Sequence, residues 1–165
     1  MAIWARSIIS SALETILIVD DTQSDLILTE RILRSCKILN PILTFQSGRK
    51  LLEYFSGDFA PPALVLTDML MEPMSGNDVL RAMRTKGLVD SIPFVMVSGL
   101  ADFKTIQEGY QNGARTFIIK PLKQEDILHL LSKIKGLEIH RTEDGYVIDR
   151  NISDAGDQKT LEFGS

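Results

Sequence analysis

Five times along this chain, a short run of apolar, β-favouring residues is followed by a longer segment whose apolar residues recur at helical spacing. The run at residues 64–68, Leu-Val-Leu-Thr-Asp, lies between Pro62 and Pro73, and its nearly continuous apolar character is typical of a strand buried on both faces. Strands joined through helices pair in parallel, because a right-handed crossover brings each new strand beside an earlier one. The alternation therefore predicts an α/β domain with helices on both faces of a parallel sheet.

The other predicted elements have approximate bounds. Strands are predicted at residues 15–19, 42–46, 92–97 and 115–119, and a helix follows each strand, the third at about 76–85 and the fifth at 124–135. Thr22 and Asp25 form a capping pattern at the start of the first helix. Gly109 interrupts the fourth helix at a cost of about 1 kcal/mol relative to alanine.

At 165 residues the chain is long enough for one domain of ordinary size with extensions. Residues 1–13 are expected to form an N-terminal arm, and residues 14–135 the α/β domain. Residues 136–149 alternate around Glu143-Asp144-Gly145 and predict a β-hairpin, whereas residues 150–165 are polar and predict a flexible tail. Two interpretations of the hairpin stay open: it packs on the fifth helix, or it is an arm that pairs with a second copy in a homodimer.

Charge and composition exclude several classes of function. The net charge of −4 argues against a nucleic-acid partner, because phosphate binding needs a basic face. No apolar run approaches the roughly 18 residues of a membrane span, so no membrane partner is expected. Cys36 is the single cysteine, which forbids an internal disulfide and indicates a reducing compartment. We therefore expect a cytoplasmic protein.

Four of the five predicted strands end in residues that carry functional groups, namely Asp20 and Asp21, Asp68, Ser98, and Lys120. In a sheet of order 2-1-3-4-5 the first and third strands are neighbours, and their carboxyl ends flank the point where the strand order reverses. Three carboxylates would meet there and repel one another unless a cation intervened. Ligation by oxygen alone favours Mg²⁺, with Mn²⁺ as the alternative.

A hard cation beside a free carboxylate, with a hydroxyl and an ammonium opposite, is suited to a phosphoryl group. The cation and Lys120 would neutralise the phosphoryl oxygens, Ser98 would donate a hydrogen bond, and Asp68 would attack in line. The product would be an aspartyl phosphate.

These motifs, in this order at strand ends, resemble the receiver domain of two-component response regulators over about residues 14–135. The resemblance implies a flavodoxin-like three-layer sandwich of order 2-1-3-4-5. It also implies a regulator that takes its phosphoryl group from a histidine kinase and changes its contacts with a downstream protein target. Such a protein catalyses only its own phosphorylation and dephosphorylation, and the absence of a second domain in the sequence predicts a single-domain type.

The resemblance further assigns roles to single residues. Asp68 is the implied phosphoacceptor, and Lys120 pairs with the phosphate. The implied metal ligands are Asp20, Asp21, Asp68 and the backbone carbonyl of Leu70. The Lys120-Pro121 bond is implied to be cis, an arrangement with a prior of about 5% for any residue before proline.

An aromatic switch residue is also implied. Phe117 lies three residues before Lys120, where receiver domains carry this aromatic ring. Phosphorylation would draw Ser98 inward and let Phe117 turn into the vacated space. The turn at Asn40-Pro41 and the tail are similar to those of single-domain regulators that serve phytochrome-type histidine kinases.

The sequence departs from the family pattern in two places. Glu72 stands where receivers usually carry proline, and Pro73 follows it with Gly76 still in register. Leu70 and Leu100 lie two residues beyond Asp68 and Ser98, where polar residues in relatives help water attack the phosphate. Two leucines predict slow loss of the phosphoryl group.

Three other functions share part of the pattern. A haloacid-dehalogenase-type phosphatase needs a second aspartate two residues after its nucleophile, where Leu70 stands, and places its acidic pair last. A flavodoxin-like electron carrier needs a phosphate-binding loop after the first strand, where Asp20 and Asp21 would repel phosphate. A pseudo-receiver, acting as a docking module without phosphorylation, remains an alternative.

Overall fold

A computed structural model describes residues 13–99 and 102–151. Leu100 lies outside these residues. So do all of the predicted arm except position 13 and all of the predicted tail except its first two positions. In chain order the elements are β1 (Ile16–Val19), α1 (Gln23–Ser35), β2 (Ile42–Phe45), α2 (Gly48–Ser56), β3 (Leu64–Asp68), α3 (Gly76–Thr85), β4 (Phe94–Ser98), α4 (Phe103–Gln111), β5 (Thr116–Ile119), α5 (Gln124–Ser132), β6 (Leu137–Arg141) and β7 (Tyr146–Arg150).

The first five strands form one parallel sheet in the order β2-β1-β3-β4-β5, which confirms the predicted fold class. Every residue of β1, β3 and β4 is buried, because helices cover both faces of the sheet. Helices α1 and α5 pack on one face and α2 and α3 on the other, so alternate strand residues point into two separate cores. None of the described helices has the length and apolar character needed to cross a membrane.

The strand register places the functional residues at one edge of the sheet. Asp68 pairs with Val97, so β3 and β4 end nearly level with each other. Ser98 pairs with Ile119 at the ends of β4 and β5. Because all five strands run in the same direction, the residues that follow β1 and β5 reach this same carboxyl edge.

Two element boundaries differ from the sequence predictions by more than one residue. The fourth strand starts at Phe94 rather than at Ile92, because Pro93 has no amide hydrogen to donate to a ladder. The fifth helix ends at Ser132 rather than at Lys135, and Gly136, with a positive φ of 88°, lies in the turn that leads to β6.

The predicted β-hairpin is present and is joined to the main domain through β7. Strands β6 and β7 are antiparallel, and Leu137 and Ile148 are buried in the same core as α1 and α5. The backbone of Tyr146 accepts a hydrogen bond from Leu39 and donates one to Lys37, at 2.8 Å each. The hairpin therefore extends the core of the domain.

The side chain of Asn40 forms hydrogen bonds with the same edge of β7, the one that faces away from β6. The fully buried amide donates to the carbonyls of Glu14 and Ile148 and accepts from the Ile148 amide, with 2.8 Å for each bond. At the end of the strand, the backbone amide and guanidinium of Arg150 both donate to the Glu14 carboxylate. Three alternate residues of β7 thus find partners within the chain, so this edge is not free to pair with a second copy.

We predict that Asn40→Ala lowers the free energy of unfolding by about 2–4 kcal/mol, because buried backbone groups of Ile148 lose their partners. Urea denaturation would measure the loss, and amide hydrogen exchange would show faster exchange at Ile148. The matched control is Gln111→Ala, which removes an exposed amide side chain and should change stability by less than about 0.5 kcal/mol. Equal effects of the two substitutions would contradict the prediction.

Candidate functional site

Three aspartates form an acidic cluster at the carboxyl edge of the sheet. Asp20 and Asp21 follow β1, Asp68 ends β3, and each contributes a carboxylate oxygen within 4.8 Å of the others. Asp20 and Asp68 are buried, whereas Asp21 is exposed. The Thr22 amide donates to Asp20 at 2.9 Å, which orients one carboxylate of the acidic cluster.

Lys120 is the cation that faces this cluster. Its Nζ atom lies 2.9 Å from Asp20 Oδ2, 3.2 Å from Asp25 Oδ2 and 3.5 Å from Asp68 Oδ1. The backbone amide of Lys120 donates to the Ser98 carbonyl at 2.8 Å, which ties the ends of β4 and β5 together. The peptide bond from Lys120 to Pro121 is cis.

The titration of these groups reflects their crowding. Burial raises the pKa of Asp68, and repulsion by Asp20 raises it further, against the opposing effects of Lys120 and of a hydrogen bond from the Leu70 backbone. Burial lowers the pKa of Lys120, but hydrogen bonds and charges from Asp20, Asp68 and Asp25 outweigh burial and raise the pKa overall. The ammonium is therefore fully charged at neutral pH, while the acidic cluster still carries unbalanced negative charge.

The contact between Asp25 and Lys120 was missed from the sequence. The predicted capping role is wrong in its chemistry, because no side-chain hydrogen bond caps α1 at Thr22 and the Asp25 carboxylate points to Lys120 instead. No local signal indicated this contact, because Asp25 and Lys120 are 95 positions apart in the chain.

The remaining candidate residues lie near this edge with less direct contacts. Ser98 is buried at the end of β4, next to the strand that carries Asp68. Leu70 follows Asp68 with a side chain that is 62% exposed, and its carbonyl as a metal ligand stays a prediction. The same loop contains a second cis bond, between Glu72 and Pro73, which sequence analysis did not anticipate.

Phe117 packs beneath α4. Its ring lies 5.1 Å from the ring of Tyr110 between centroids, and a Cβ atom built on Gly109 would lie only 2.4 Å from the ring. The glycine that looked like a flaw in the fourth helix therefore makes room for the aromatic ring. Nearby, the buried Asn77 donates to the Thr105 carbonyl at 3.3 Å and joins α3 to α4.

The donor set fits a hard divalent cation. Three carboxylates within one metal-sized volume, two of them buried, supply the oxygen ligands that Mg²⁺ and Mn²⁺ prefer. Burial and the charge of Asp20 raise the pKa of Asp68 despite the nearby Lys120 ammonium, so added positive charge would favour the ionised carboxylate. With a cation held there, the arrangement can accept a further anion beside Asp68.

Comparison with known proteins identifies the family that the sequence motifs resemble. Residues 16–132 match the family described as response regulator receiver domain. The chain is 31% identical over 119 residues to the two-component response regulator ORR3 of Oryza sativa subsp. indica, which covers 72% of this chain and 88% of ORR3. The chain therefore belongs to the receiver domain family of two-component response regulators.

Solved structures agree on the fold. The bacteriophytochrome response regulator AtBRR is 25% identical with a TM-score of 0.65, and the match covers 74% of this chain and 92% of that one. The chemotaxis protein CheY4 of Vibrio cholerae is 24% identical with a TM-score of 0.64, covering 74% and 99% of the two chains.

We predict that metal-free Asp68→Asn gains stability over the wild type as the pH rises. The folded pKa of Asp68 is above its ordinary value of 3.8, so the unfolded chain ionises first, and the wild type loses stability as the pH rises from about 3.8 until it has passed the folded pKa. Asparagine does not ionise and avoids this loss. Urea denaturation with a chelator, at several pH values from 3.5 to 7 (roughly the span below and above the shifted pKa), would contradict the prediction if the difference stayed constant.

We also predict that Gly109→Ala lowers the free energy of unfolding by about 1–2 kcal/mol, although alanine favours a helix, because the new methyl group overlaps the Phe117 ring. The near-ultraviolet signal of the aromatic residues should change as the ring moves. Gly57→Ala is the control, since a Cβ atom there meets nothing within 4 Å. Stabilisation at position 109 would show that the ring does not depend on this glycine.

Proposed function

We propose that this receiver domain accepts a phosphoryl group from a histidine kinase onto Asp68 in a reaction that requires Mg²⁺. The observation that carries the proposal is the convergence of Asp20, Asp21, Asp68 and Lys120 at one edge of the sheet. Asp20, Asp21 and Asp68 are the residues that would hold the cation, with Mn²⁺ as a substitute. The cation, when bound, supplies positive charge that offsets the charge of the transferred phosphoryl group.

The side chains of the protein perform the rest of the transfer. An oxygen of Asp68 attacks the phosphorus of a phosphohistidine, so an oxygen–phosphorus bond forms as the nitrogen–phosphorus bond breaks. The Lys120 ammonium, 3.5 Å from this carboxylate, is close enough to pair with phosphoryl oxygens. The Ser98 hydroxyl, at the end of the neighbouring strand, donates a hydrogen bond to the same group.

The output of the switch is a change in protein contacts on the surface of α4, β5 and α5. Phe103 is 81% exposed and Ile119 is 75% exposed on this surface, and Tyr110 is also exposed. Such large apolar side chains favour a protein partner. We propose that movement of Ser98 towards the phosphoryl group lets Phe117 change its position under α4, which alters this surface.

The proposed phosphoryl donor is a phytochrome-type histidine kinase, acting in the cytoplasm. The similarity to AtBRR, a bacteriophytochrome response regulator, and to the subgroup features around Asn40 supports this choice. A hairpin joined to the domain through Asn40 leaves the opposite, carboxyl edge of the sheet for the kinase.

We predict that acetyl phosphate with Mg²⁺ adds one phosphoryl group to the wild type and none to Asp68→Asn. Mass spectrometry of the intact protein would measure the addition, and a chelator should abolish it. A wild type that stays unmodified with acetyl phosphate and with phosphorylated phytochrome-type kinases would favour a pseudo-receiver. Repeated hydrolysis of phosphate monoesters would favour the phosphatase.

The lifetime of the phosphoryl group is expected to be minutes or longer. The exposed Leu70 side chain offers no hydrogen bond to an attacking water, and Leu100 has the same character in sequence. Following the loss of phosphate after removal of the donor measures this lifetime. A half-life of seconds would overturn the proposed slow hydrolysis, and Leu70→Ala would control for the apolar surface.

A further inference from the structure

Asp25 contacts Lys120 from outside the acidic cluster. Its Oδ2 atom lies 3.2 Å from Nζ of Lys120, nearer than the 3.5 Å that separates Nζ from the proposed phosphoacceptor Asp68. Among the described residues, the carboxylates close enough to share a metal ion are Asp20, Asp21 and Asp68, and Asp25 does not belong to this group. Its carboxylate thus interacts with the ammonium rather than with the cation site.

Asp25 is the carboxylate that would still pair with Lys120 if a divalent cation occupied the acidic cluster. A cation held by the acidic cluster shares the charge of Asp20, which is the nearest carboxylate to Nζ at 2.9 Å. The same cation repels the ammonium. Asp25 sits on the first turn of α1 and keeps its full charge for Lys120.

The ion pair between Lys120 and Asp25 is exposed enough for another anion to replace Asp25. The side chains of Lys120 and Asp25 are 22% and 41% exposed, so water screens their attraction and replaces it readily. A phosphoryl group carries more negative charge than one carboxylate and offers three oxygens. Lys120 must therefore divide its hydrogen bonds between Asp25 and any phosphoryl group on Asp68.

Resting on the proposed function, we propose that Asp25 is a positioning residue that holds Lys120 before phosphorylation and competes with the phosphoryl group for the ammonium afterwards. Removing its charge should let Lys120 pair fully with the phosphoryl group. The affinity of the site for a phosphoryl-like anion would then rise. The residue acts through Lys120 and does not touch the transferred group.

Beryllium fluoride with Mg²⁺, an analogue of an aspartyl phosphate, provides the test in the full chain. We expect Asp25→Asn to bind this anion roughly two- to fivefold more tightly than the wild type, the range of one partly exposed ion pair. Asp25→Glu should restore the wild-type affinity, because the carboxylate returns with enough reach. Glu30→Gln removes a charge about 7.5 Å further along α1 and should leave the affinity unchanged.

A double-mutant cycle separates this role from simple charge repulsion. In the Lys120→Gln background, Asp25→Asn should no longer change the affinity, because the group through which it acts is gone. A persistent two- to fivefold gain there would overturn the proposal, since it would arise from the charge of Asp25 alone. A protein that retains Lys120 and shows no gain on Asp25→Asn would also overturn it.

The same measurements keep the two proposals distinguishable. If the wild type binds beryllium fluoride with Mg²⁺ and accepts phosphate from acetyl phosphate, the proposed function stands whatever Asp25 does. If the wild type does neither, both proposals fail. If Asp25→Asn does not fold, Asp25→Glu and Asp25→Ser supply the comparison, with serine expected to give the gain and glutamate not.

Discussion

Electrostatic repulsion among Asp20, Asp21 and Asp68 is the constraint on which the rest of this edge depends. Their oxygens share a volume less than 5 Å across, and two of the side chains are buried. In that setting burial, together with repulsion by Asp20, raises the pKa of Asp68 although Lys120 opposes the shift. The site therefore favours added positive charge first and an anion afterwards, which is the order that the proposed phosphoryl transfer needs.

The C-terminal hairpin packs at the amino ends of the strands, opposite the carboxyl edge that carries the acidic cluster. Glu14 and Asn40 precede β1 and β2, so they lie at the amino ends of the strands, and both bind β7. Arg150 also donates to the carbonyl of Ser91, just before β4. The hairpin consequently stabilises the amino edge of the sheet, while the carboxyl edge carries the acidic cluster, Lys120 and the exposed apolar surface of α4 and β5.

Sequence analysis succeeded where a signal was local and repeated. Continuous apolar runs and helical spacing predicted all five parallel strands and their helices, because burial on two faces requires such runs. The start of β4 shifted because Pro93 has no amide hydrogen for the ladder. The role of Gly109 was misjudged, because helix propensity takes no account of an aromatic ring packing against the helix from a different strand.

By itself, the sequence determined the α/β class, the strand that ends in Asp68, and the set of acidic, hydroxyl and ammonium groups at strand ends, since these follow from periodicity and position within each element. Tertiary structure alone decided which groups touch. Asp25 and Lys120 are separated by 95 positions, and Asn40 and Ile148 by 108. Such contacts depend on strand register and on the direction of each side chain after packing, and neither quantity is encoded in the residues near any one position.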